Sequence, residues 1–136
     1  MQNFSEIQAL MKSDMEKTDE ILIDRLNSNV DLINQMSHYI IASGGKRLRP
    51  LLLLLSARAT NYTGTDHHAM AVVIELIHTA TLLHDDVVDE STTRRGQDSA
   101  NELWGNAPSV LVGDFLYSRA FEIMVEPNSM AIMRIL

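Results

Sequence analysis

The sequence lacks two features that would point to common classes of site and partner. None of its 136 residues is cysteine, which excludes disulfide bonds, thiolate metal sites and cysteine nucleophiles. It also lacks an excess of basic residues, and its net charge of −7 argues against nucleic acid as the main partner, because a phosphate backbone binds to a basic face. A small phosphorylated ligand stays compatible with this charge, since a few local cations are sufficient to bind it.

Long apolar segments are absent as well. The densest apolar run, Leu51 to Leu55, is far shorter than the roughly 20 residues that span a bilayer. The first 17 residues include Glu6, Asp14 and Glu16 and have no uninterrupted apolar core, so we identify no secretory signal. We therefore expect no transmembrane segment and a cytoplasmic location.

Helix-forming residues dominate what is present, and the alternation typical of strands is hard to find. The length allows one domain with a real core. Apolar spacing and turn residues predict five helices and the start of a sixth after residue 127, the five covering approximately residues 5–27, 30–42, 46–60, 66–90 and 108–127. This succession predicts an all-α fold, an antiparallel helical bundle.

The predicted helix 66–90 carries an acidic cluster at its end. At 100° per residue, seven of its side chains fall within an arc of about 120°, namely Glu75, His78, Thr79, Leu82, Asp85, Asp86 and Asp89. Three aspartates at a helix C-terminus repel one another and the helix dipole, and a bound Mg²⁺, which prefers carboxylate oxygens, would relieve this repulsion. Asp85 and Asp89 lie one turn apart and could hold the ion, with Asp86 beside them, whereas a plain solvated helix end is the alternative for an isolated cluster.

Two basic motifs flank this cluster along the chain. GGKRLRP, residues 44–50, places Lys46, Arg47 and Arg49 around a helix start, where glycines and a helix N-terminus favour anions. RRG, residues 94–96, offers two arginines that point in different directions and could serve different anions, with a glycine that permits a tight turn. Either motif alone is more typical of a solvated surface than of a binding site.

The order GGKRLRP, His78, DDVVD at 85–89 and RRG at 94–96 resembles the trans-prenyl diphosphate synthase family. The downstream segment GNAPSVLVGDFLYSRAF, residues 105–121, also resembles the next core helix of that family. The similarity covers nearly all of residues 40–125 and is strongest to the long-chain polyprenyl subgroup, of the octaprenyl diphosphate synthase type, which makes quinone side chains.

The resemblance implies a role for each motif. Lys46, Arg49, His78 and Arg95 would bind the diphosphate of isopentenyl diphosphate, and Arg94 would contact the diphosphate of an allylic prenyl diphosphate. Asp85 and Asp89, supported by Asp86, would bind the Mg²⁺ ions that bridge to that second diphosphate, so all three count as catalytic residues. The implied reaction is ionisation of the allylic diphosphate, attack by the double bond of isopentenyl diphosphate, and loss of a proton.

The residues four and five positions before the first aspartate line the elongation tunnel in this family. Here they are Thr81 and Ala80, both small, which implies a long product. Ala80 could also simply permit close helix packing.

One family feature is missing from the sequence. A second aspartate-rich motif is expected downstream. After Asp89 the only aspartates are Asp98 and Asp114, and neither lies in such a motif. We therefore expect residues 1–136 to be the N-terminal portion of a single synthase domain, with an incomplete bundle and no turnover alone. The family also implies a homodimer.

Three other functions compete with this interpretation. His84-Asp85 is compatible with an HD-type metal phosphohydrolase, but the helical wheel turns His84 away from the polar stripe. A non-catalytic or regulatory subunit of a heteromeric prenyl synthase would be expected to have a degraded first motif, whereas DDVVD and RRG are intact. A terpene cyclase would not need paired basic sites for two diphosphates.

Overall fold

The computed structural model describes residues 3–136 and is almost entirely helical. Eight helices and one short hairpin follow one another in the order α1 (Phe4–Leu10), α2 (Lys12–Arg25), α3 (Asp31–Ala42), α4 (Leu48–Ala59), α5 (Asp66–Val88), β1 (Thr93–Arg94), β2 (Gln97–Asp98), α6 (Ala100–Trp104), α7 (Asn106–Val125) and α8 (Met130–Ile135). The predicted all-α class is thus confirmed.

Helix α5 is the centre of the bundle, and α2, α4 and α7 pack around it. Its first two-thirds are apolar on most sides, and Val72, Val73, Leu76 and Ala80 are almost fully buried. A polar stripe with such apolar flanks forces the helix into the interior while keeping one edge open. No helix of residues 3–136 combines the length and the apolar character that crossing a bilayer requires.

The prediction of one N-terminal helix over residues 5–27 is wrong in one respect. The chain breaks at Met11, which ends α1 and begins α2 with a non-helical ψ of 5°. Met11 is fully buried against Leu51, Leu54 and Ala71. The apolar spacing is loose there, so a bend that buries this side chain is favoured over a straight helix that exposes it.

The fourth helix starts two residues later than predicted. Gly44 and Gly45 have positive φ angles of 74° and 152°, and Arg47 has left-handed angles of φ 46° and ψ 39°. A helix cannot pass through these conformations, so α4 begins at Leu48. Pro50 lies in its first turn, as predicted, where the missing N–H has no intrahelical partner to lose.

The loop after α5 contains two elements that the sequence did not reveal. Thr93 pairs with Asp98 and Arg94 with Gln97 in an antiparallel hairpin, whose two turn residues, Arg95 and Gly96, have φ angles of 53° and 77°. This turn confirms the tight reversal that was predicted at Gly96. A strand of two residues is too short to show alternation in the sequence, and a helix of one turn, such as α6, is too short to show apolar periodicity.

Candidate diphosphate and metal site

The three aspartates at the end of α5 have different environments. Asp86 is buried, with a side chain that is 3% exposed, whereas Asp85 and Asp89 are exposed. The Asp89 N–H donates to the Asp85 carbonyl at 2.8 Å, so the last turn stays helical and keeps the two exposed carboxylates on one edge. The geometry therefore divides the motif into one internal and two external carboxylates.

Asp86 is paired with Arg94 of the hairpin. Nε and Nη2 of Arg94 donate to the two carboxylate oxygens at 2.7 and 2.6 Å, the forked geometry that guanidinium and carboxylate favour. This hydrogen bonding, together with the nearby carboxylates of Asp85 and Asp89, raises the pKa of Arg94 further above its ordinary value. The pair fixes the hairpin against the acidic end of α5.

Four residues predicted to bind one diphosphate lie around a single pocket. A cavity of about 350 Å³ is lined by Lys46, Arg49, His78 and Arg95, together with Gly45, Arg47, Leu48 and Glu75. The structure thus joins the GGKRLRP motif, the polar stripe of α5 and the hairpin turn, which are up to 50 residues apart in sequence. The two adjacent arginines of RRG face different neighbours, as predicted.

Three of the cations in this pocket have no carboxylate partner. Within residues 3–136, no Asp or Glu oxygen lies within 4.0 Å of a charged nitrogen of Lys46, Arg49 or Arg95, whereas Arg47 and Arg94 are both paired. Unpaired cations that share one concave surface create a strong positive potential. The arrangement is suited to a small, highly charged anion such as a diphosphate.

Arg47 and Glu75 form a supporting contact that sequence reasoning missed. Arg47 donates to Asp19 at 3.0 Å and lies 3.9 Å from Glu75, so it connects α2 to α5 instead of facing the pocket as a free charge. Nothing in the motif distinguishes Arg47 from Lys46 or Arg49. Its backbone has left-handed angles, and its side chain reaches Asp19 of α2.

Burial shifts the pKa values of two groups in the stripe. The pKa of Glu75 is raised by burial, although Arg47, Arg95 and Arg49 oppose the shift. The pKa of His78 is lowered from 6.5 by burial and by the guanidinium groups of Arg49, Arg95 and Arg94. Nη1 of Arg49 lies 3.0 Å from Nε2 of His78, and because arginine can only donate, a neutral His78 accepts there.

Gly45 permits the close approach of Arg95 to the glycine-rich loop. A Cβ atom at position 45 would lie 2.8 Å from Cζ of Arg95, well inside van der Waals contact. The glycine was expected to let backbone approach a ligand, but its observed neighbour is a guanidinium group. The loop therefore helps to fix the side chain that the hairpin turn presents to the pocket.

The exposed aspartates fit a magnesium ion. Asp85 and Asp89 supply carboxylate oxygens one turn apart, and their exposure leaves room for the waters and substrate oxygens that Mg²⁺ retains. Asp86 is occupied by Arg94, so the two exposed aspartates are the ones open to an ion.

Three other predicted residues have clear locations. Ala80 is fully buried in the main core, so it permits close helix packing, and Thr81 is partly exposed, with its hydroxyl donating to the His78 carbonyl at 2.6 Å. His84 faces α7, where its Nε2 lies 3.2 Å from the Val110 carbonyl oxygen. This position agrees with the prediction that His84 points away from the polar stripe.

Comparison with known proteins agrees with the resemblance found in the sequence. A family model described as polyprenyl synthetase matches residues 30–136. The chain is 50% identical over 134 residues to octaprenyl diphosphate synthase of Escherichia coli K12, covering 98% of this chain and 42% of that protein. The chain thus spans about two fifths of that relative's length.

Two solved structures are similar to this fold. One is a polyprenyl synthase from Caulobacter crescentus CB15 complexed with calcium and isoprenyl diphosphate, with a TM-score of 0.91, 48% identity, and coverage of 95% of this chain and 39% of that chain. The other is a decaprenyl diphosphate synthase from Rhodobacter capsulatus, with a TM-score of 0.91, 43% identity, and coverage of 96% and 41%. The described bundle therefore corresponds to a part of each of those folds.

Proposed function

The chain belongs to the polyprenyl synthetase family, and on that premise we propose that its parent protein makes a long-chain polyprenyl diphosphate, a precursor of a quinone side chain. The reaction joins isopentenyl diphosphate to an allylic prenyl diphosphate. The carbon–oxygen bond of the allylic substrate breaks and diphosphate leaves. A carbon–carbon bond then forms to the double bond of isopentenyl diphosphate, and one proton is lost.

The observation that carries this proposal is the set of unpaired cations around the 350 Å³ pocket. Lys46, Arg49 and Arg95 form no carboxylate pair among the described residues, although acidic side chains are close to the neighbouring arginines. Positive charge left uncompensated in a concave site is unfavourable without an anion. We assign this pocket to the diphosphate of isopentenyl diphosphate, with His78 holding Arg49 in position or contacting the ligand itself.

The second diphosphate belongs, in this proposal, at the end of α5. Arg94 lies there beside the exposed carboxylates of Asp85 and Asp89, which would hold Mg²⁺. When bound, Mg²⁺ would neutralise charge on the leaving diphosphate. Support comes from the Caulobacter crescentus relative, whose structure contains calcium and isoprenyl diphosphate.

Apolar side chains next to this site would protect the allylic cation from water. Ile40 and Ile41 of α3 and Leu82 and Leu83 of α5 line a small cavity that also includes Asp86 and Arg94. Excluding water strengthens the electrostatic contacts in the site and prevents hydrolysis of a reactive cation. A long product would also require small residues deeper in the tunnel, at Ala80 and Thr81.

The test of this function uses binding and turnover together. We expect calorimetry to detect isopentenyl diphosphate binding to the chain, and an allylic diphosphate to bind only when Mg²⁺ is present. Arg49→Gln should weaken the first interaction by about tenfold or more, since it removes a charge-assisted contact, and should leave the second unchanged. Asp85→Asn together with Asp89→Asn should abolish only the second.

Turnover is measured on the full-length protein that carries this chain, from labelled isopentenyl diphosphate and an allylic primer. Extended polyprenyl products that disappear in the Arg49→Gln variant would support the proposal. Binding of neither substrate, together with no product from the full-length protein, would overturn it. Activity that appears only after a second, different synthase subunit is added would instead favour the regulatory-subunit alternative.

We also propose a homodimer in the cytoplasm, where charged diphosphates that do not cross membranes would be supplied. The dimer is supported by exposed apolar side chains along one face of α7, among them Val110, Phe121 and Val125. Apolar surface of this kind is typical of an interface. Sedimentation of the full-length protein should give a dimer that Phe121→Glu dissociates, whereas a monomeric parent protein would contradict this part of the proposal.

A further inference from the structure

A cluster of two histidines and one aspartate lies on a different part of the molecule from the diphosphate pocket. Asp14 is on α2, and His67 and His68 are in the first turn of α5. Ligand atoms of the three side chains all lie within 4.8 Å of one another, and they are the one group of three such residues that meets this distance within residues 3–136. None of the three belongs to the motifs discussed above.

One ring nitrogen of the cluster has no hydrogen-bond partner within residues 3–136. Nε2 of His68 lies 3.1 Å from Oδ1 of Asp14, and the His68 side chain is 8% exposed. Nδ1 of His67 is shielded from solvent and has no hydrogen-bond partner among the described residues. A buried ring nitrogen without a partner is unfavourable, so this atom is better explained by a ligand that it would bind.

Neighbouring side chains hold the cluster in position. The Nε atom of Arg58 lies 3.2 Å from Oδ2 of Asp14, which orients the carboxylate and leaves Oδ1 directed at His68. The rings of His67 and His68 lie with their centroids 3.9 Å apart, and Tyr62 contacts the His67 ring edge-on at 5.4 Å. Such outer contacts are what orient the ligands of metal sites.

We propose that Asp14, His67 and His68 form a zinc site that joins α2 to the start of α5. Two imidazole nitrogens and one carboxylate oxygen are a donor set that suits Zn²⁺, with water in the fourth position. A tetrahedral site with bonds of about 2.0–2.1 Å separates its ligand atoms by about 3.3 Å, so the cluster would contract modestly on binding. This site differs in chemistry from the all-carboxylate site at the end of α5.

Coordination through Nε2 of His68 requires one proton to move. In the hydrogen bond to ionised Asp14, the Nε2–H group donates. When zinc binds, that proton is lost from Nε2 while Nδ1 takes one up, which leaves a neutral ring with a free electron pair on Nε2. The ring keeps one proton throughout, so this change of tautomer releases none to solvent.

The test is a zinc titration of the chain without an affinity tag, followed by calorimetry and by the absorption of Co²⁺ as a spectroscopic substitute. We expect one zinc ion per chain with a Kd of about 10 µM or tighter. The visible bands of bound Co²⁺ should indicate tetrahedral geometry. Saturating zinc should also raise the Tm by about 5 °C or more, because it binds only the folded cluster.

Variants assign the zinc to these residues. His67→Ala and Asp14→Asn should each weaken zinc binding by about tenfold or more, whereas His38→Ala, which removes an exposed histidine of α3, should leave it unchanged. Circular dichroism of each variant verifies that it is folded. His67→Ala is the more informative variant, because His67 makes no hydrogen bond to α2 that its loss would break.

A second control separates this site from the aspartates at the end of α5. Asp85→Asn together with Asp89→Asn should leave one zinc ion bound with the same affinity. The proposal is overturned if zinc does not bind, if His67→Ala binds zinc as tightly as the unsubstituted chain does, or if the Asp85 and Asp89 changes abolish zinc binding.

Discussion

Asp85 and Asp86 are adjacent and chemically identical, yet the structure gives them different tasks. We predict that Asp86→Asn lowers the free energy of unfolding, while Asp85→Asn does not. Asp86 is almost completely buried and accepts two hydrogen bonds from Arg94 at 2.7 and 2.6 Å. Its neutral amide would turn an NH₂ group toward the donors of Arg94 or leave one of them without an acceptor.

The magnitude follows from the exposure of the two partners. Removing one member of a fully buried ion pair costs about 3–5 kcal/mol. The Arg94 side chain is 35% exposed, so water replaces part of the lost interaction, and we expect a loss of about 2 kcal/mol. With an unfolding entropy of about 2.1 cal/mol/K per residue, this loss lowers the Tm of a chain of this length by about 7 °C.

Asp85→Asn is the matched control. Asp85 is exposed and lies in the last turn of α5, where a negative charge opposes the helix dipole, so its neutralisation should change stability by no more than about 0.5 kcal/mol. Both variants are measured by urea denaturation and by thermal melting. If the two variants melt together, or if Asp85→Asn is the less stable one, the division of the motif into internal and external carboxylates is wrong.

Arg94→Gln completes a double-mutant cycle with Asp86→Asn. If the two side chains stabilise the fold through each other, the double variant should lose little more stability than either single variant, with a coupling energy of about 1–2 kcal/mol. Additive losses would show that Asp86 and Arg94 act independently, and would contradict the role assigned to the pair.

Three further predictions concern the pocket and its surroundings. Gly45→Ala should weaken isopentenyl diphosphate binding by about tenfold, because its Cβ displaces the guanidinium of the hairpin turn. Gly44→Ala also places a side chain at a positive φ, but its Cβ would have no neighbour closer than 3.9 Å, so it should retain binding in calorimetry. The pKa of His78 is lowered in the folded chain, so the unfolded chain binds more protons near pH 6. The free energy of unfolding should therefore decrease as the pH falls from above 6.5 through the lower folded-state pKa. Urea denaturation should show a weaker decrease for His78→Gln. In the full-length protein, Thr81→Phe should shorten the polyprenyl product seen by chromatography, while Ala80→Phe should mainly destabilise the packed core by about 1–3 kcal/mol and lower the Tm.

The central features of the fold could be predicted from sequence because they depend on local patterns. A long helix with one polar edge is encoded by the spacing of α5, and the Gly44-Gly45 pair marks the end of α3. The different directions of Arg94 and Arg95 follow from their adjacency. These patterns, with their order along the chain, were sufficient to identify the family.

The missed features depend on contacts between distant segments. The bend at Met11 exists because α4 and α5 supply the cavity that buries its side chain. Asp14 and His68 are 54 residues apart, and neither stands in a motif. The ion pair of Arg47 with Asp19 likewise joins residues 28 apart, and no periodicity in the sequence indicates which segments will meet.

The basic residues of GGKRLRP and RRG show why composition alone could not define the site. Their motifs present five cations with no visible difference in role, but the fold pairs two of them with carboxylates and leaves three unpaired. Pairing fixes Arg47 and Arg94 in position and cancels their local charge, so they join α2 and the hairpin to α5. The unpaired Lys46, Arg49 and Arg95 retain their charge and share one pocket. An anion that enters this pocket therefore meets a positive surface held in place by neighbouring ion pairs, and pays little to organise it.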